Sequence, residues 1–394
     1  MERSFARAPA PPSPCAVSRK PWGHVISAAV SPSDQISFAR GAPSLDIVDV
    51  DGLSEAAQRA FAADPAGAFS YGTAVGYPPL REWIAQRHGV APEQVFVTNG
   101  SMQADAFLFG LLVEPSDVVV TESPTYDRTL LSLRERGADV RMVALETDGI
   151  DVAAFARLLS DGLRPKLAHI IPNFQNPAGH TLSGPKRERL LELAAEHDFL
   201  IFEDDPYVAL LFEGEPLPTM LDLDAGAGRV IYASSFSKTV CPGIRVGYLV
   251  GPAATIAAIT KIATNTYISP NMVAQAIVDS FCRSGALDCS IATVKAALRE
   301  RAAALAAALE RELPQARFTP PRGGYFMWVE LPEGSDVDAL FDAAAERGVT
   351  FVKGSDFLLE GGHNALRLAY SGVTPAQIDE GVARLADAFR SLAG

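Results

Sequence analysis

The sequence predicts an α/β protein, with a mainly parallel seven-stranded sheet in a large domain and a smaller α+β domain after it. Two observations predict this fold. From residue 95 onward, short apolar runs alternate with amphipathic helical stretches, which is typical of parallel strands joined by crossover helices. After Pro252 the pattern changes to long helices mixed with a few short strands. We expect an arm and packing segment over residues 1–50, a large domain over 51–285 and a small domain over 286–394.

The elements follow from runs of apolar residues and their spacing. The strands of the large sheet are predicted at 95–98, 118–121, 140–143, 168–171, 199–202, 230–233 and 246–250. Helices are predicted at 53–63, in the stretch that ends near 88, and at 101–112, 125–136, 152–160 and 185–197. The smaller domain is predicted to contain strands at 325–330 and 366–369 and helices at 337–347 and 375–390. The Ala-rich stretch 286–313 is interpreted as a long connecting helix, because its apolar pattern lasts too few heptads for a coiled coil.

Composition and charge narrow the possible functions. The formal net charge of -13 argues against a nucleic-acid partner, since phosphate backbones are bound by basic surfaces. The four cysteines form no C-x-x-C pair, which indicates reduced thiols in a cytoplasmic protein and no metal site. No apolar run approaches the roughly 18 residues that span a bilayer, so no membrane partner is expected. Residues 1–14 contain no apolar stretch of signal-peptide length and are expected to form a loose arm.

Lys238 carries the strongest functional signal. It follows the predicted strand 230–233, with Ser235 and Ser237 before it and Arg245 seven residues after it. Open α/β sheets hold their ligands at such strand ends. A lysine held beside cationic groups can lose its proton and attack carbonyl groups, while hydroxyl and guanidinium groups are donors for a phosphate. An isolated lysine would be interpreted as a solvated surface residue, but this spacing favours a site.

Other polar residues also lie at or near predicted strands. Ser101 opens a helix after a strand, where backbone N–H groups can bind an anion, although it could simply cap that helix. Tyr126 could stack on a flat ring or belong to the core. Asp204 and Asp205 end a buried strand and need a cationic partner, unless they only help a helix to begin. Arg367 lies in the middle of a short apolar strand and is suited to bind a carboxylate, with surface pairing as the alternative.

At least six motifs, in order, closely resemble those of fold-type I pyridoxal-phosphate-dependent aminotransferases of class I and II. They are the Gly-rich loop with Tyr71, the turn Gly100-Ser101-Met102-Gln103, the loop that ends in Tyr126, the loop 172–179, the segment from Glu203 to Tyr207, and S-x-S-K with the later G-x-R. In the loop 172–179, Ala178 stands where the family usually has threonine. The resemblance runs from about residue 36 to 390, and its style is nearest to the kynurenine/α-aminoadipate and aromatic aminotransferase group.

This resemblance implies pyridoxal 5'-phosphate as the cofactor, held by Lys238 as a Schiff base. It implies catalytic roles for Lys238, for Asp204 at the ring nitrogen, with Asp205 as the competing candidate, and for Tyr207 at the phenolic oxygen. Further cofactor contacts are implied for Gly100, Ser101, Met102, Tyr126, Asn176, Ser235, Ser237 and Arg245. The substrate would be held by Arg367, Gly41 and Asn176. Tyr71 would reach the phosphate of the neighbouring subunit, which implies a homodimer with shared active sites.

The activity implied by the resemblance is transfer of an amino group between an L-amino acid and a 2-oxo acid. One alternative is a racemase, lyase, decarboxylase or oxidase on the same scaffold, because fold does not determine chemistry. A second alternative is a cofactor-dependent regulator. No winged helix is expected ahead of this region, which argues against that alternative. The amino acid itself stays open. Residues 21–39 contain no arginine for a second carboxylate, so Arg40 and His24 are the basic candidates there.

Overall fold

The computed structural model describes residues 35–392 of the 394-residue chain. The predicted arm, Cys15 and His24 lie outside the described residues. Within residues 35–392, no helix has the length and apolar character needed to cross a membrane.

The described residues form both strands and helices. The strands are β1 Ile36–Ser37, β2 Val95–Thr98, β3 Val118–Ser123, β4 Asp139–Glu146, β5 Gly149–Ile150, β6 Leu167–Ile170, β7 Leu200–Asp204, β8 Val230–Ser235, β9 Gly247–Val250, β10 Arg317–Phe318, β11 Phe326–Glu330, β12 Val349–Thr350, β13 Val352–Lys353 and β14 Ala365–Ala369. The helices are α1 Val50–Ala63, α2 Pro65–Phe69, α3 Pro78–His88, α4 Ser101–Leu112, α5 Asp127–Glu135, α6 Val152–Ser160, α7 Gly184–His197, α8 Met220–Asp224, α9 Ala253–Tyr267, α10 Met272–Arg283, α11 Ala286–Glu312, α12 Val337–Glu346 and α13 Pro375–Leu392.

The large sheet has the strand order β2-β9-β8-β7-β6-β3-β4-β5. The pairs from β8 through β4 are parallel, whereas β9 runs antiparallel to both of its neighbours. All seven predicted strands are present, and the α/β fold class is confirmed. The sheet has eight strands rather than seven, because the two-residue strand β5 pairs antiparallel with the end of β4. Two residues are too few to give a readable apolar pattern.

Local chemistry sets where the helices begin and end. Asp49 and Asp151 accept hydrogen bonds from backbone N–H groups in the first turns of α1 and α6, which stabilises those helix starts. Gly89 ends α3 in the left-handed region, at φ 64°. Helix α5 begins at Asp127, two residues later than predicted, because the backbone of Tyr126 is non-helical, with ψ 124°.

A second sheet, of order β10-β11-β14-β13, forms the core of the C-terminal part together with helices α11 to α13. Leu298, Leu305 and Leu309 of α11 are buried in this core, which agrees with the interpretation of α11 as a structural helix. Strand β1 pairs in parallel with β12, so the first described residues contact this part of the chain. The predicted boundaries at residues 50 and 285 stay predictions.

Candidate active site

A cavity of about 130 Å³ lies at the carboxyl ends of β6, β7 and β8 and beside the N-terminus of α4. Parallel strands that share a direction bring their carboxyl ends to one edge of the sheet, which is where polar side chains at several strand ends can meet. The lining residues are Ser101, Met102, Tyr126, Ile171, Asn176, Asp204, Pro206, Tyr207, Ser235, Ser237, Lys238 and Arg245. Ten of these twelve were predicted as site residues from the sequence, and Ile171 and Pro206 were not.

Lys238 lies in the loop after β8, and the amine points into the cavity. Its Nζ donates a hydrogen bond to the Gly41 carbonyl at 2.6 Å. The same nitrogen lies 5.7 Å from the ring centre of Tyr207 and 5.3 Å from that of Tyr325, within the range of cation–π contacts. The Tyr325 hydroxyl donates to the backbone carbonyl of Lys238 at 2.8 Å, which fixes the loop. Tyr325 was not predicted as a site residue from the sequence.

The electrostatics of the site lower the pKa of Lys238. Desolvation is the main cause, and the positive charges of Arg367 and Arg245 add to it, while Asp204 opposes it; together they lower the pKa of Lys238 to about 8. Lys238 as a whole is only partly buried, but its amine is enclosed in the cavity. The lowered pKa arises from this enclosure of the amine. The amine of Lys238 therefore loses its proton much more readily near neutral pH than that of a surface lysine, as a nucleophile or general base requires.

An anion-binding corner lies between the Lys238 loop and α4. Arg245 Nη1 donates to Ser237 Oγ at 3.1 Å, and the Ser237 backbone N–H donates to Ser235 Oγ at 3.1 Å. Gly100 precedes α4 with φ 74°, and a Cβ there would lie 2.2 Å from Arg245 Nη2. Only glycine therefore allows the guanidinium to reach the helix N-terminus at Ser101. Hydroxyls, a guanidinium and helix N–H groups together suit a phosphate.

Asp204, at the end of β7, lines the cavity and is almost fully buried. Its Oδ1 has no hydrogen-bond partner among the described residues. Asp205 lies outside the set of cavity-lining residues. Its Oδ2 accepts from Asn173 Nδ2 at 2.8 Å, and its backbone carbonyl accepts from Ser234 Oγ. The structure thus brings Asp204, and not Asp205, to the cavity.

Arg367 lies beside the cavity on β14 and is 6% exposed. Its Nη1 donates to Asn176 Oδ1 at 2.9 Å and its Nη2 to the Ala39 carbonyl at 2.6 Å, while Nε has no partner among the described residues. The guanidinium lies 4.3 Å from the ring centre of Phe326 and 5.0 Å from that of Phe357. These contacts orient the guanidinium and leave Nε as an unused donor.

Four predicted residues lie outside the cavity lining: Gly100 and Arg367, described above, and Gly41 and Tyr71. Gly41 contributes its carbonyl to Lys238, and a Cβ there would come within 2.4 Å of the Phe326 ring, so glycine is required at this position. Tyr71 is 89% exposed and does not line the cavity of its own chain. Arg40 is exposed next to Gly41, and its role with a second carboxylate stays a prediction.

Burial also shifts the tyrosines of the site. Desolvation is the main cause that raises the pKa of Tyr126 to about 12 and that of Tyr207 well above its usual range. Both phenols therefore stay protonated at ordinary pH and can donate hydrogen bonds.

These features fit pyridoxal phosphate. The corner at Ser101, Ser237 and Arg245 suits its phosphate, and the lysine amine suits its aldehyde. The unpartnered, buried oxygen of Asp204 suits a protonated ring nitrogen, because a buried carboxylate needs a cationic partner.

Comparison with known proteins gives consistent matches. The family model described as aminotransferase class I and II matches residues 33–385. The chain is 35% identical over 361 residues to a 2-aminoadipate transaminase of Thermus thermophilus, covering 91% of this chain and 90% of that protein. It is 33% identical over 373 residues to aromatic-amino-acid aminotransferase 1 of Thermococcus litoralis, covering 92% and 89%.

Solved structures agree with these matches. The α-aminoadipate aminotransferase of Thermus thermophilus, complexed with N-(5'-phosphopyridoxyl)-L-leucine, has a TM-score of 0.87 and 34% identity. The match covers 91% of this chain and 93% of that chain.

Proposed function

Because the chain belongs to the class I and II aminotransferases, we propose that Lys238 is the residue that bonds to the aldehyde of its cofactor. The protein is a pyridoxal-phosphate-dependent aminotransferase, an enzyme that moves an amino group between an L-amino acid and a 2-oxo acid. The relatives support this activity over the racemase, lyase, decarboxylase and oxidase alternatives. One observation carries the assignment of Lys238. Its amine, with a pKa near 8, lies in the same cavity as an anion corner and an unpartnered carboxylate.

Each residue of the site has a definite task in this proposal. The cofactor, when bound, supplies an electron sink for the bond broken at the substrate Cα. Asp204 would hold the ring nitrogen and its proton, and Tyr207 and Asn176 would donate to the phenolic oxygen. The corner at Ser101, Ser235, Ser237 and Arg245 would bind the phosphate. Met102 and Tyr126 would contact the ring.

Lys238 and Arg367 would handle the substrate. Arg367 binds the α-carboxylate, and its contacts with Asn176 and the Ala39 carbonyl orient the guanidinium for this. Lys238 Nζ then takes the proton from Cα as a general base and returns a proton as its conjugate acid. The Gly41 carbonyl, which accepts from Nζ, aligns the amine for both transfers.

We propose a long acidic or an aromatic L-amino acid as substrate. The names of two relatives, a 2-aminoadipate transaminase and an aromatic-amino-acid aminotransferase, support this range. We infer a role in amino-acid metabolism from this range of substrates. A cytoplasmic location is supported by the free thiols of Cys241, Cys282 and Cys289.

We also propose a homodimer with shared active sites. Phe69, Tyr71 and Ile268 are 62%, 89% and 66% exposed, which is unusual for large apolar side chains. The Gly72 N–H donates to Ser269 Oγ at 2.9 Å, so the chain segment around Phe69 and Tyr71 lies against the segment around Ile268. One exposed apolar patch therefore surrounds Tyr71, the residue expected to reach a neighbouring phosphate.

The test of the proposed activity is a half-reaction. One equivalent of a good amino acid, without acceptor and without oxygen, should convert the bound cofactor to pyridoxamine phosphate and release one equivalent of 2-oxo acid. Addition of an oxo acid should restore the original absorbance. If the absorbance persists while the Cα hydrogen exchanges with solvent, the enzyme is a racemase or lyase and the proposal is wrong.

A further inference from the structure

Behind Asp204 lies a group of buried polar side chains that none of the steps above uses. It comprises Asp105 on α4, Thr121 on β3 and His169 on β6, and we call it the rear cluster. Asp105 is 3% exposed, and Thr121 and His169 are 0% exposed. Asp105 Oδ1, Thr121 Oγ1 and both ring nitrogens of His169 have no hydrogen-bond partner among the described residues.

The sheet register brings two members of the cluster to the Asp204 side chain. Thr121 of β3 pairs with His169 of β6, and His169 pairs with Phe202 of β7, two residues before Asp204. Paired residues in neighbouring strands point to the same face, and so do residues two apart in one strand. His169 Nε2 accordingly lies 3.7 Å from Asp204 Oδ2.

Helix α4 supplies the third member. Phe109 packs against the rings of His169 and Phe202, with centroid distances of 6.1 and 5.8 Å. Asp105 lies four residues before Phe109, on the same face of the helix, and so it points toward the same side of the sheet.

Two carboxyl groups, those of Asp105 and Asp204, thus share one buried region. Among the described residues, no Lys, Arg or His nitrogen lies within ion-pair distance of Asp105, and an isolated buried carboxylate is prohibitively costly. Burial, and next the negative charge of Asp204, raise the pKa of Asp105 well above its usual range. Asp204 differs because it faces the cavity, where a cationic ring can pair with it.

We propose that Asp105 is a positioning residue that keeps its proton in the folded enzyme, so that it adds no second negative charge beside Asp204 beneath the cofactor ring. This inference rests on the proposed role of Asp204. A neutral Asp105 leaves a single negative charge, that of Asp204, to meet a single ring proton. Of the other ionisable groups near this charge, Tyr126 also stays neutral, because desolvation and nearby carboxylates raise its pKa.

Infrared spectroscopy of the holoenzyme tests the charge state directly. The difference spectrum between wild type and Asp105→Asn near neutral pH should contain a carboxylic-acid C=O band that belongs to the wild type. The amide matches the protonated acid in shape and charge, so the variant should fold and keep its affinity for pyridoxal phosphate within about twofold. Loss of carboxylate bands instead, or a variant that does not fold, overturns the proposal.

A pH titration of the bound cofactor's absorbance gives a second measurement. If Asp105 is neutral, Asp105→Asn leaves the midpoint unchanged. If Asp105 is ionised, the substitution removes a nearby anion and lowers the midpoint by about one pH unit. Phe109→Leu is the matched control, since it loosens packing on the same helix face and should lower the melting temperature without changing the carboxyl band.

The proton on Asp105 and the role proposed for Asp204 can be tested separately. Asp204→Ala should lose most of its cofactor affinity whatever the charge on Asp105. Normal cofactor affinity in that variant would refute the role proposed for Asp204, whereas the infrared band would still report the Asp105 proton.

Discussion

Replacement of Arg367 by alanine tests the proposed substrate-carboxylate site. The guanidinium is buried, bonded to Asn176 and to the Ala39 carbonyl, and stacked on Phe326 and Phe357. Truncation of one partner of a buried, hydrogen-bonded charge pair costs about 2–5 kcal/mol. We therefore expect kcat/KM to fall roughly 30- to 5,000-fold, with about 1.4 kcal/mol for each factor of ten. Most of the loss should appear in KM, because the carboxylate is bound in the ground state as well as in the transition state.

The same substitution should change the basicity of Lys238. After desolvation, Arg367 is the largest cause that lowers the pKa of Lys238. Removal of this positive charge should raise that pKa and move the pH midpoint of the bound cofactor's absorbance upward. Arg367→Lys is the control, because it keeps the charge but loses the bidentate fork. Its midpoint should stay near that of the wild type, while its KM should lie between those of wild type and Arg367→Ala.

Steady-state kinetics measure KM, and a spectrophotometric titration measures the pH midpoint, for wild type, Arg367→Ala and Arg367→Lys. An alanine variant that loses cofactor but saturates normally with amino acid would refute the assignment. A midpoint that stays fixed in Arg367→Ala would refute the electrostatic link to Lys238, even if KM rises.

Three further predictions concern the cofactor, the dimer and a buried acid. Borohydride reduction of the holoenzyme should fix the cofactor on Lys238, and peptide mapping that finds it on another lysine would contradict this. Mixing inactive Lys238→Ala with impaired Tyr71→Ala subunits should restore activity, because one site of the heterodimer keeps both residues; no recovery after verified subunit exchange would exclude shared sites. Burial raises the pKa of Glu122 from 4.5 to about 8. Between these two values the native state holds a proton that the unfolded chain releases, so the free energy of unfolding falls as the pH rises from about 5 to 8. Glu122→Gln should escape that loss, so its melting temperature should exceed that of the wild type increasingly from about pH 5 to 8; a difference that is independent of pH would contradict the raised pKa.

Much of the site could be predicted from the sequence, because the fold converts positions along the chain into positions in space. Lys238, Asp204 and Ser101 each lie within five residues of the end of a predicted strand. The strands before Lys238 and Asp204 are parallel, so their ends meet at one edge without any detailed knowledge of packing. The turn before Ser101 reaches the same edge because β9 runs antiparallel to both β2 and β8. Strand β2 therefore points in the same direction as β8, and their carboxyl ends lie on the same side of the sheet.

Other features depend on contacts that local patterns do not encode. The choice between Asp204 and Asp205 rested on spacing in the sequence, whereas in the structure Asp205 bonds to Asn173, 32 positions earlier. Asp105 and His169 each look like an isolated polar residue in a buried element. Their meeting behind Asp204 depends on the strand register and on how α4 packs, which neither segment determines alone.

The charges of the site also support the two roles proposed for Lys238, as the attachment point of the cofactor and as a base. Two arginines lower its pKa, and each of them is placed to meet a different anion. A phosphate at Arg245 would offset one positive charge, and a substrate carboxylate at Arg367 would offset the other. Binding of each anion therefore weakens the electrostatic repulsion that disfavours a proton on Lys238 Nζ. The amine becomes a stronger base when the substrate is bound, which is when the Cα proton must be taken.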